Sequence, residues 1–185
     1  MNKKRQLLID TALHLFYKNG INSIGINEIL KVSGVAKQTL YTHFESKEAL
    51  ILAALKQRHI NFIEWLEAKL QGVDSDEKLI TQLFCALEGW FTDSEPMLGD
   101  FRGCFFINSS AEFSDPSSDI SLFCKNHKQE VRALIGQHMT RENAVFLDAI
   151  CIMKEGAITT AYVTGDFSAA KKCIEVLKKH IVLVP

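Results

Sequence analysis

Apolar residues recur at intervals of three and four along the whole of this 185-residue chain, which contains only three prolines. This spacing places apolar side chains on one face of an α-helix, and no stretch alternates for long enough to predict a strand. We therefore expect an all-α protein. Hydrophobic residues make up 47% of the chain and charged residues 23%, a composition typical of a globular protein that does not predict disorder.

Turn and capping residues predict where the helices begin and end. Asn19-Gly20 and Ser33-Gly34 are helix stop signals, and Ser46 is placed to cap the helix that follows it. We expect helices at about residues 4–19, 26–32, 37–43, 47–70, 76–93, 102–113, 118–139, 142–164 and 168–183.

Two of the short helices, joined by a tight turn at Gly34, have the length and spacing of a helix-turn-helix. Leu40 and Phe44 are predicted to face the core, which leaves hydrogen-bonding side chains outward. Lys37 and Lys47 fall at helix starts, where a bound phosphate would be held by free backbone N–H groups and would pair with both lysines. Residues 1–50 carry a net charge of +3 and the remainder −4, so the basic end is the candidate for an anionic partner. The alternative is that both lysines are solvated surface residues.

The segment "FYKNGINSIGINEILKVSGVAKQTLYTHFESKEALILAAL" resembles the N-terminal DNA-binding region of the TetR family of bacterial transcriptional regulators, over roughly residues 5–55. The resemblance implies an all-helical homodimer that binds a palindromic operator of double-stranded DNA and is released by a small ligand. Gly25 and Ala36 depart from the family pattern, because capping residues often stand at these positions. The candidate DNA-binding residues are Asn27, Lys37, Gln38, Thr39, Tyr41, Thr42, His43 and Lys47.

The remainder of the chain is predicted to bind the effector, which divides the protein into residues 1–48 (DNA binding) and 49–185 (ligand binding and dimerisation). "FRGCFFINSSAEF" resembles the R-G-C-x-x-x-N-x-x-x-E signature of one subgroup of the family. The aromatic residues of this half are either core or the lining of a mainly apolar cavity for a small apolar or amphipathic effector. The candidate ligand-binding residues are Trp65, Phe84, Trp90, Phe105, Asn108, Glu112 and Phe123.

Cys104 offers a different sensing chemistry, because Arg102 and a helix start at Gly103 could lower the pKa of its thiol. Some regulators of the family are modified directly by electrophiles or oxidants; the alternative is a packed, inert cysteine. The five cysteines are widely spaced and predict neither a disulfide framework nor a metal site.

The last two helices are the candidate dimer interface, because the first of them is apolar on nearly every face and the second carries one apolar stripe. Ordinary intramolecular packing is the alternative. The candidate interface residues are Ala149, Met153, Gly156, Ala157, Thr160, Ile174, Leu177 and Ile181.

Catalytic motifs are absent from the sequence: it contains no HExxH, no Gly-rich phosphate loop, no GxSxG and no Glu-x-x-His. We expect neither an enzyme nor a cofactor. No run of about 18 apolar residues predicts a membrane span, and the amphipathic N-terminus does not resemble a signal peptide, so we expect a cytoplasmic protein. A transcriptional activator is the alternative to a repressor, because both would make the same contacts with DNA.

Overall fold

The computed structural model describes residues 2–181, which form nine helices and no strand. The predicted all-α class is confirmed for this part of the chain. The predicted end of the last helix, at residue 183, lies outside the described residues. The helices are α1 (Lys3–Asn19), α2 (Ile26–Ser33), α3 (Lys37–His43), α4 (Lys47–Leu70), α5 (Asp76–Phe91), α6 (Phe105–Glu112), α7 (Asp119–Gln137), α8 (Ala144–Thr164) and α9 (Ala169–Ile181).

Local capping explains most of these boundaries. The side chain of Asn2 accepts the Lys4 N–H at 3.0 Å at the start of α1, and the Ser46 hydroxyl accepts the Ala49 N–H at 3.1 Å at the start of α4. Gly34 ends α2 in the left-handed conformation, with φ +67°. The predicted stop and cap at these positions are confirmed.

Helices α5, α6, α7 and α8 are shorter than predicted, and for the first two a positive φ explains the difference. Helix α5 ends at Phe91 rather than 93, because Asp93 adopts a left-handed φ of +57° that no α-helix continues through. Helix α6 begins at Phe105 rather than 102, since Gly103 has a φ of +75°. Both breaks are backbone conformations that the apolar spacing of the sequence does not record.

The described chain divides into two compact units. The first unit contains the residues up to Ile60 together with Phe105–His127, and the second contains Asn61–Cys104 together with the residues from Lys128 onward. Helix α6 and the start of α7 therefore belong with α1, α2 and α3. The boundary predicted between residues 48 and 49 lies within α4, which continues without interruption to Leu70, and that boundary stays a prediction.

Each unit has its own apolar core. In the first unit Leu8, Phe16, Ile29, Leu40 and Leu50 are fully or almost fully buried and hold α1 to α4 together. The second unit packs its aromatic residues into one cluster, whose ring centroids lie about 5 to 6 Å apart and whose planes are mostly tilted or perpendicular. The members of this cluster are Phe62, Trp65, Trp90, Phe91 and Phe101.

Among the helices of residues 2–181, none is long and apolar enough to cross a membrane.

Candidate nucleic-acid interface

Helices α2 and α3 form a helix-turn-helix whose second member is anchored by two side chains. Leu40 is fully buried and Phe44, directly after α3, is almost fully buried. Ile29 is fully buried from α2. The predicted inward positions of Leu40 and Phe44 are confirmed, and they fix which face of α3 points away from the protein.

The outward face of α3 is dense in hydrogen-bonding groups. Lys37, Gln38 and Thr42 are exposed, and the Tyr41 side chain is 47% exposed, which is high for a tyrosine. Thr39 and His43 are half-buried, and Asn27 is exposed in the first turn of α2. The Thr42 hydroxyl donates to the Gln38 carbonyl at 2.9 Å, so its oxygen remains an acceptor only. All six polar residues of α3 thus reach the surface, where a duplex could be read.

Helices α2 and α3 both begin without a side-chain cap. Gly25 and Ala36 stand at their N-cap positions and make no capping hydrogen bond through a side chain. The N–H groups of a helix's first turn have no partner within the helix. A phosphate oxygen at either end could accept these N–H groups, and Lys37 in the first turn of α3 would add a matching charge.

Lys47 has a structural role that the sequence did not reveal. Its Nζ donates to the Ile21 carbonyl at 2.9 Å and lies 5.9 Å from the centroid of the Phe16 ring. The side chain is half-buried and ties the start of α4 to the loop between α1 and α2. A phosphate contact from Lys47 stays a prediction, but replacing this residue would disturb packing as well as charge.

Arg5 and Lys56 add positive charge close to α3, and neither was among the predicted DNA-binding residues. An open groove of about 660 Å³ lies between α1, the end of α3 and α4, and both residues line it together with Tyr41 and His43. The Arg5 guanidinium lies 5.1 Å from the centroid of the Phe44 ring. The basic run at residues 3–5 was the one signal in the sequence that pointed to Arg5.

Three predicted ligand-binding residues belong to the second unit. Trp65, Phe84 and Trp90 are buried there, and Trp65 Nε1 donates to Glu95 Oε2 at 2.8 Å. Glu95 also pairs with Lys69, at 2.7 Å between Nζ and Oε1. These side chains are part of the core, and their role in ligand binding stays a prediction.

The other four predicted ligand-binding residues belong to the first unit. Phe105 is buried against the Tyr17 ring at a centroid distance of 5.8 Å, and Phe123 packs against Phe106 and His59. The carboxylate of Glu112 accepts two backbone N–H groups, so at this residue the geometry favours satisfaction of backbone groups over a ligand contact. Asn108 is half-buried on α6.

Cys104 lies beside a cluster of charged side chains. Lys128 Nζ donates to its sulfur at 3.1 Å and to Glu155 Oε2 at 2.7 Å, and Glu155 also binds Lys154. Burial disfavours the Lys128 ammonium, but Cys104 and Glu155 outweigh it and raise the pKa of Lys128 above its ordinary value. Burial likewise opposes the Glu155 carboxylate, yet Lys154 and Lys128 hold the pKa of Glu155 below its ordinary value.

Burial dominates the environment of two other cysteines. Burial raises the pKa of the Cys151 and Cys173 thiols above the ordinary value, which favours their protonated form. Cys104 is only 8% exposed. The hydrogen bond that it accepts from Lys128 distinguishes it from these two, and Cys85 is exposed on α5.

Helix α8 presents two different faces. Ala157 and Leu177, both predicted interface residues, are buried inside their own unit, so they do not belong to the outward surface. The exposed apolar stripe of α8 instead runs through Val145, Ile152 and Val163, which are 81%, 71% and 72% exposed. Gly156 is exposed between them, and Ala149, Met153, Thr160, Ile174 and Ile181 are half-buried.

Comparison with known proteins agrees with this geometry. Residues 8–54 match the family model described as bacterial regulatory proteins of the tetR family. The transcriptional repressor ComR of Escherichia coli strain K12 is 30% identical over 132 residues, which are 70% of this chain, and the chain spans 61% of ComR. The repressor NemR of the same strain is 27% identical over 143 residues, 75% of this chain and 69% of NemR.

Solved structures share the fold over nearly the whole chain. A TetR-family transcriptional regulator from Streptomyces coelicolor superimposes with a TM-score of 0.82 at 24% identity, covering 97% of this chain and 94% of that one. The reduced form of E. coli NemR superimposes with a TM-score of 0.78 at 22% identity, covering 96% of each chain. At these identities the likeness concerns the fold alone.

Proposed function

Because this chain belongs to the TetR family of bacterial transcriptional regulators, we propose that it is a repressor that binds a palindromic DNA operator as a homodimer and is released by a small effector. The observation that carries the proposal is the outward face of α3, where six polar side chains stand on a helix anchored by Leu40 and Phe44. Such a helix fits the major groove, where side chains read base edges while phosphates fix its position.

The roles of the individual side chains follow from their chemistry. Lys37 and the uncapped start of α3 hold one phosphate, and Asn27 with the start of α2 holds another. Gln38 is suited to adenine N6 and N7, and Tyr41, Thr39 and His43 contact the walls of the groove. Arg5 and Lys56 would extend this positive surface along α1 and α4.

Dimerisation is proposed to use the outward stripe of α8. Apolar side chains as exposed as Val145, Ile152 and Val163 are characteristic of a surface that a partner covers. Gly156 on the same exposed side allows close approach of a second helix. An isologous contact through this stripe would fix the distance between two copies of α3, as a two-fold symmetric operator requires.

Selection of bound sequences from a random duplex pool tests this function. We expect the enriched sites to consist of two inverted half-sites whose centres are about 10 base pairs, or a multiple of one turn, apart.

Ile152→Glu should yield a monomer in sedimentation and should lose most affinity for the full site, since each half-site is then bound separately. Met97→Glu, an exposed apolar residue outside α8, should stay dimeric. Enriched sites without two-fold symmetry would contradict the dimer.

The effector is proposed to be small and apolar or amphipathic, with the aromatic residues of the chain forming its site. Release then follows from linkage: a ligand that binds more tightly to the conformation with the wrong spacing of recognition helices must weaken operator binding. An activator would use the same DNA contacts. We propose a cytoplasmic location for the protein, no cofactor and no catalytic activity.

A second sensing chemistry is favoured by the contact between Lys128 and Cys104. Lys128 Nζ lies 3.1 Å from the sulfur, the atom that would attack an electrophile. Attack by this sulfur on a soft electrophile such as a maleimide would form a carbon–sulfur bond, leave a bulky thioether next to Lys128, and place one proton on the former double bond. The charge cluster around Glu155 would then lose one of its partners.

Alkylation with N-ethylmaleimide, followed by mass spectrometry, tests this chemistry. We expect adducts at Cys104 and at the exposed Cys85, and loss of operator binding at a rate that follows the Cys104 adduct. Cys104→Ser should bind DNA and resist the reagent, whereas Cys85→Ser should behave like the wild type. Operator binding that survives complete modification of Cys104 would exclude sensing through this thiol.

A further inference from the structure

Glu112, the last residue of α6, forms hydrogen bonds with the loop that joins α1 to α2. Its Oε1 accepts the Ile21 N–H at 2.8 Å and its Oε2 accepts the Asn22 N–H at 2.6 Å. The Asn22 side chain donates in return to the Glu112 backbone carbonyl at 3.3 Å. One residue of α6 thus binds two consecutive amides that lie 91 and 90 residues earlier in the chain.

The local structure is fitted to this contact. Gly20 has a φ of +85°, a backbone conformation that glycine adopts without strain. A Cβ built at this position would lie 3.3 Å from Glu112 Oε1, so glycine also leaves room for the carboxylate. The Ile21 side chain is fully buried, and Lys47 holds the Ile21 carbonyl from α4. Hydrogen bonds to a charged acceptor are roughly twice as strong as those between neutral groups. The loop is therefore held from two helices at once.

The loop in turn determines where the helix-turn-helix begins. Helix α2 starts at Ile26, and its N-cap Gly25 provides no side-chain hydrogen bond of its own. Asn27, a proposed phosphate contact, lies in its first turn. Because α2 has no side-chain cap to fix its amino terminus, the position of that terminus depends on how the preceding loop is held.

We propose that Glu112 is a positioning residue for operator binding: it makes α6 part of the DNA-binding apparatus by fixing the α1–α2 loop, and with it the amino terminus of α2. The proposal rests on the proposed DNA-binding function. Helix α6 begins directly after Cys104 and contains Asn108. Because the Glu112 side chain accepts both the Ile21 and the Asn22 N–H, a displacement of α6 would move or break these two hydrogen bonds. The grouping of 105–127 with α1, α2 and α3 in one compact unit agrees with such a coupling.

The test combines amide exchange with operator affinity in the full chain. Glu112→Gln removes the charge and replaces one acceptor with an NH₂ group that cannot bind an N–H. We expect hydrogen exchange at Ile21 and Asn22 to accelerate about tenfold or more, and operator affinity to fall about tenfold. The dependence of affinity on salt should keep its slope, since the variant removes no cationic side chain and the proposed phosphate contact at the start of α2 is made by uncharged groups. Glu67→Gln, an exposed acid on α4, should change neither quantity.

A second variant keeps the test decisive if Glu112→Gln fails to fold. Asn22→Ala removes only the 3.3 Å side-chain bond, so it should give a smaller change in the same direction for both measurements. Faster exchange with unchanged operator affinity would show a contact that stabilises the fold without positioning α2, and would overturn the proposal. Unchanged exchange in both variants would overturn it too. If the wild type binds no duplex at all, the proposed function itself is wrong, a result recognised from the wild type alone.

Discussion

Tyr41→Ala is expected to weaken operator binding by roughly 10-fold to 100-fold, the cost of losing one well-placed contact on the recognition helix. Tyr41 is 47% exposed on α3, and the neighbouring Leu40 and Phe44 already anchor this helix in the core. The free energy of unfolding should therefore change by less than about 0.5 kcal/mol. Fluorescence anisotropy with a selected duplex, paired with thermal unfolding, measures both quantities.

Two matched variants separate the contributions on α3. Tyr41→Phe keeps the ring and removes the hydroxyl, so it shows how much of the loss comes from hydrogen bonding. Lys37→Ala should reduce the magnitude of the slope of log affinity against log salt concentration by about one, because one contact between a lysine and a phosphate is lost. Lys125→Ala, an exposed lysine on α7, should leave the slope unchanged. A large loss of stability in Tyr41→Ala would contradict the outward placement of this side chain.

Glu155→Gln is expected to destabilise the protein by about 3 kcal/mol, because it leaves a buried ammonium without its counter-charge. Lys154 is only 3% exposed, and Glu155 forms ion pairs with both Lys154 and Lys128. Denaturant unfolding measures the loss. Glu77→Gln breaks the exposed pair with Lys178 and should cost less than about 1 kcal/mol. Adding Lys154→Met to Glu155→Gln should restore part of the stability, since it removes the more deeply buried of the two ammonium groups that Glu155 pairs with.

The lowered pKa of Glu155 predicts that the stability of the protein depends on pH. The pKa of Glu155 in the folded protein lies below its ordinary value of about 4.5, so the folded state binds this proton less readily than the unfolded state does. Its stabilising contribution is therefore present above about pH 4.5 and is lost as the pH falls through the lower, folded-state pKa. The stability difference between wild type and Glu155→Gln should be constant near pH 7 and should shrink in acid. A difference that grows in acid would contradict the ion pairing.

The sequence predicted the helix-turn-helix because its determinants are local. Leu40 and Phe44 are four residues apart and share one face of α3, which decides the direction of every polar side chain between Lys37 and His43. Gly34 and Ser46 mark the ends of helices through backbone conformation and capping, which depend on near neighbours. The caps missing at Gly25 and Ala36 were predictable for the same reason.

Residues whose role depends on distant partners were not predictable. Lys154 reads as an exposed lysine on a helix, and its burial follows from the way α8 packs within the second unit. The contact between Glu112 and the Ile21 amide joins positions 91 residues apart, so the apolar spacing of the sequence does not predict it. The exposed stripe of α8 was missed at Val145 and Ile152 because α8 is apolar on both faces, and periodicity cannot tell which face the unit covers.

The central claim, that the outward face of α3 lies against duplex DNA, is tested most directly by crosslinking. A photoreactive amino acid is placed at Gln38 or Tyr41 on this face and, as a control, at the exposed Glu142. The protein is then irradiated with a selected duplex. We predict crosslinks to bases of both half-sites from positions 38 and 41 and none from 142. Bound duplex that crosslinks at neither position of α3 would contradict this account.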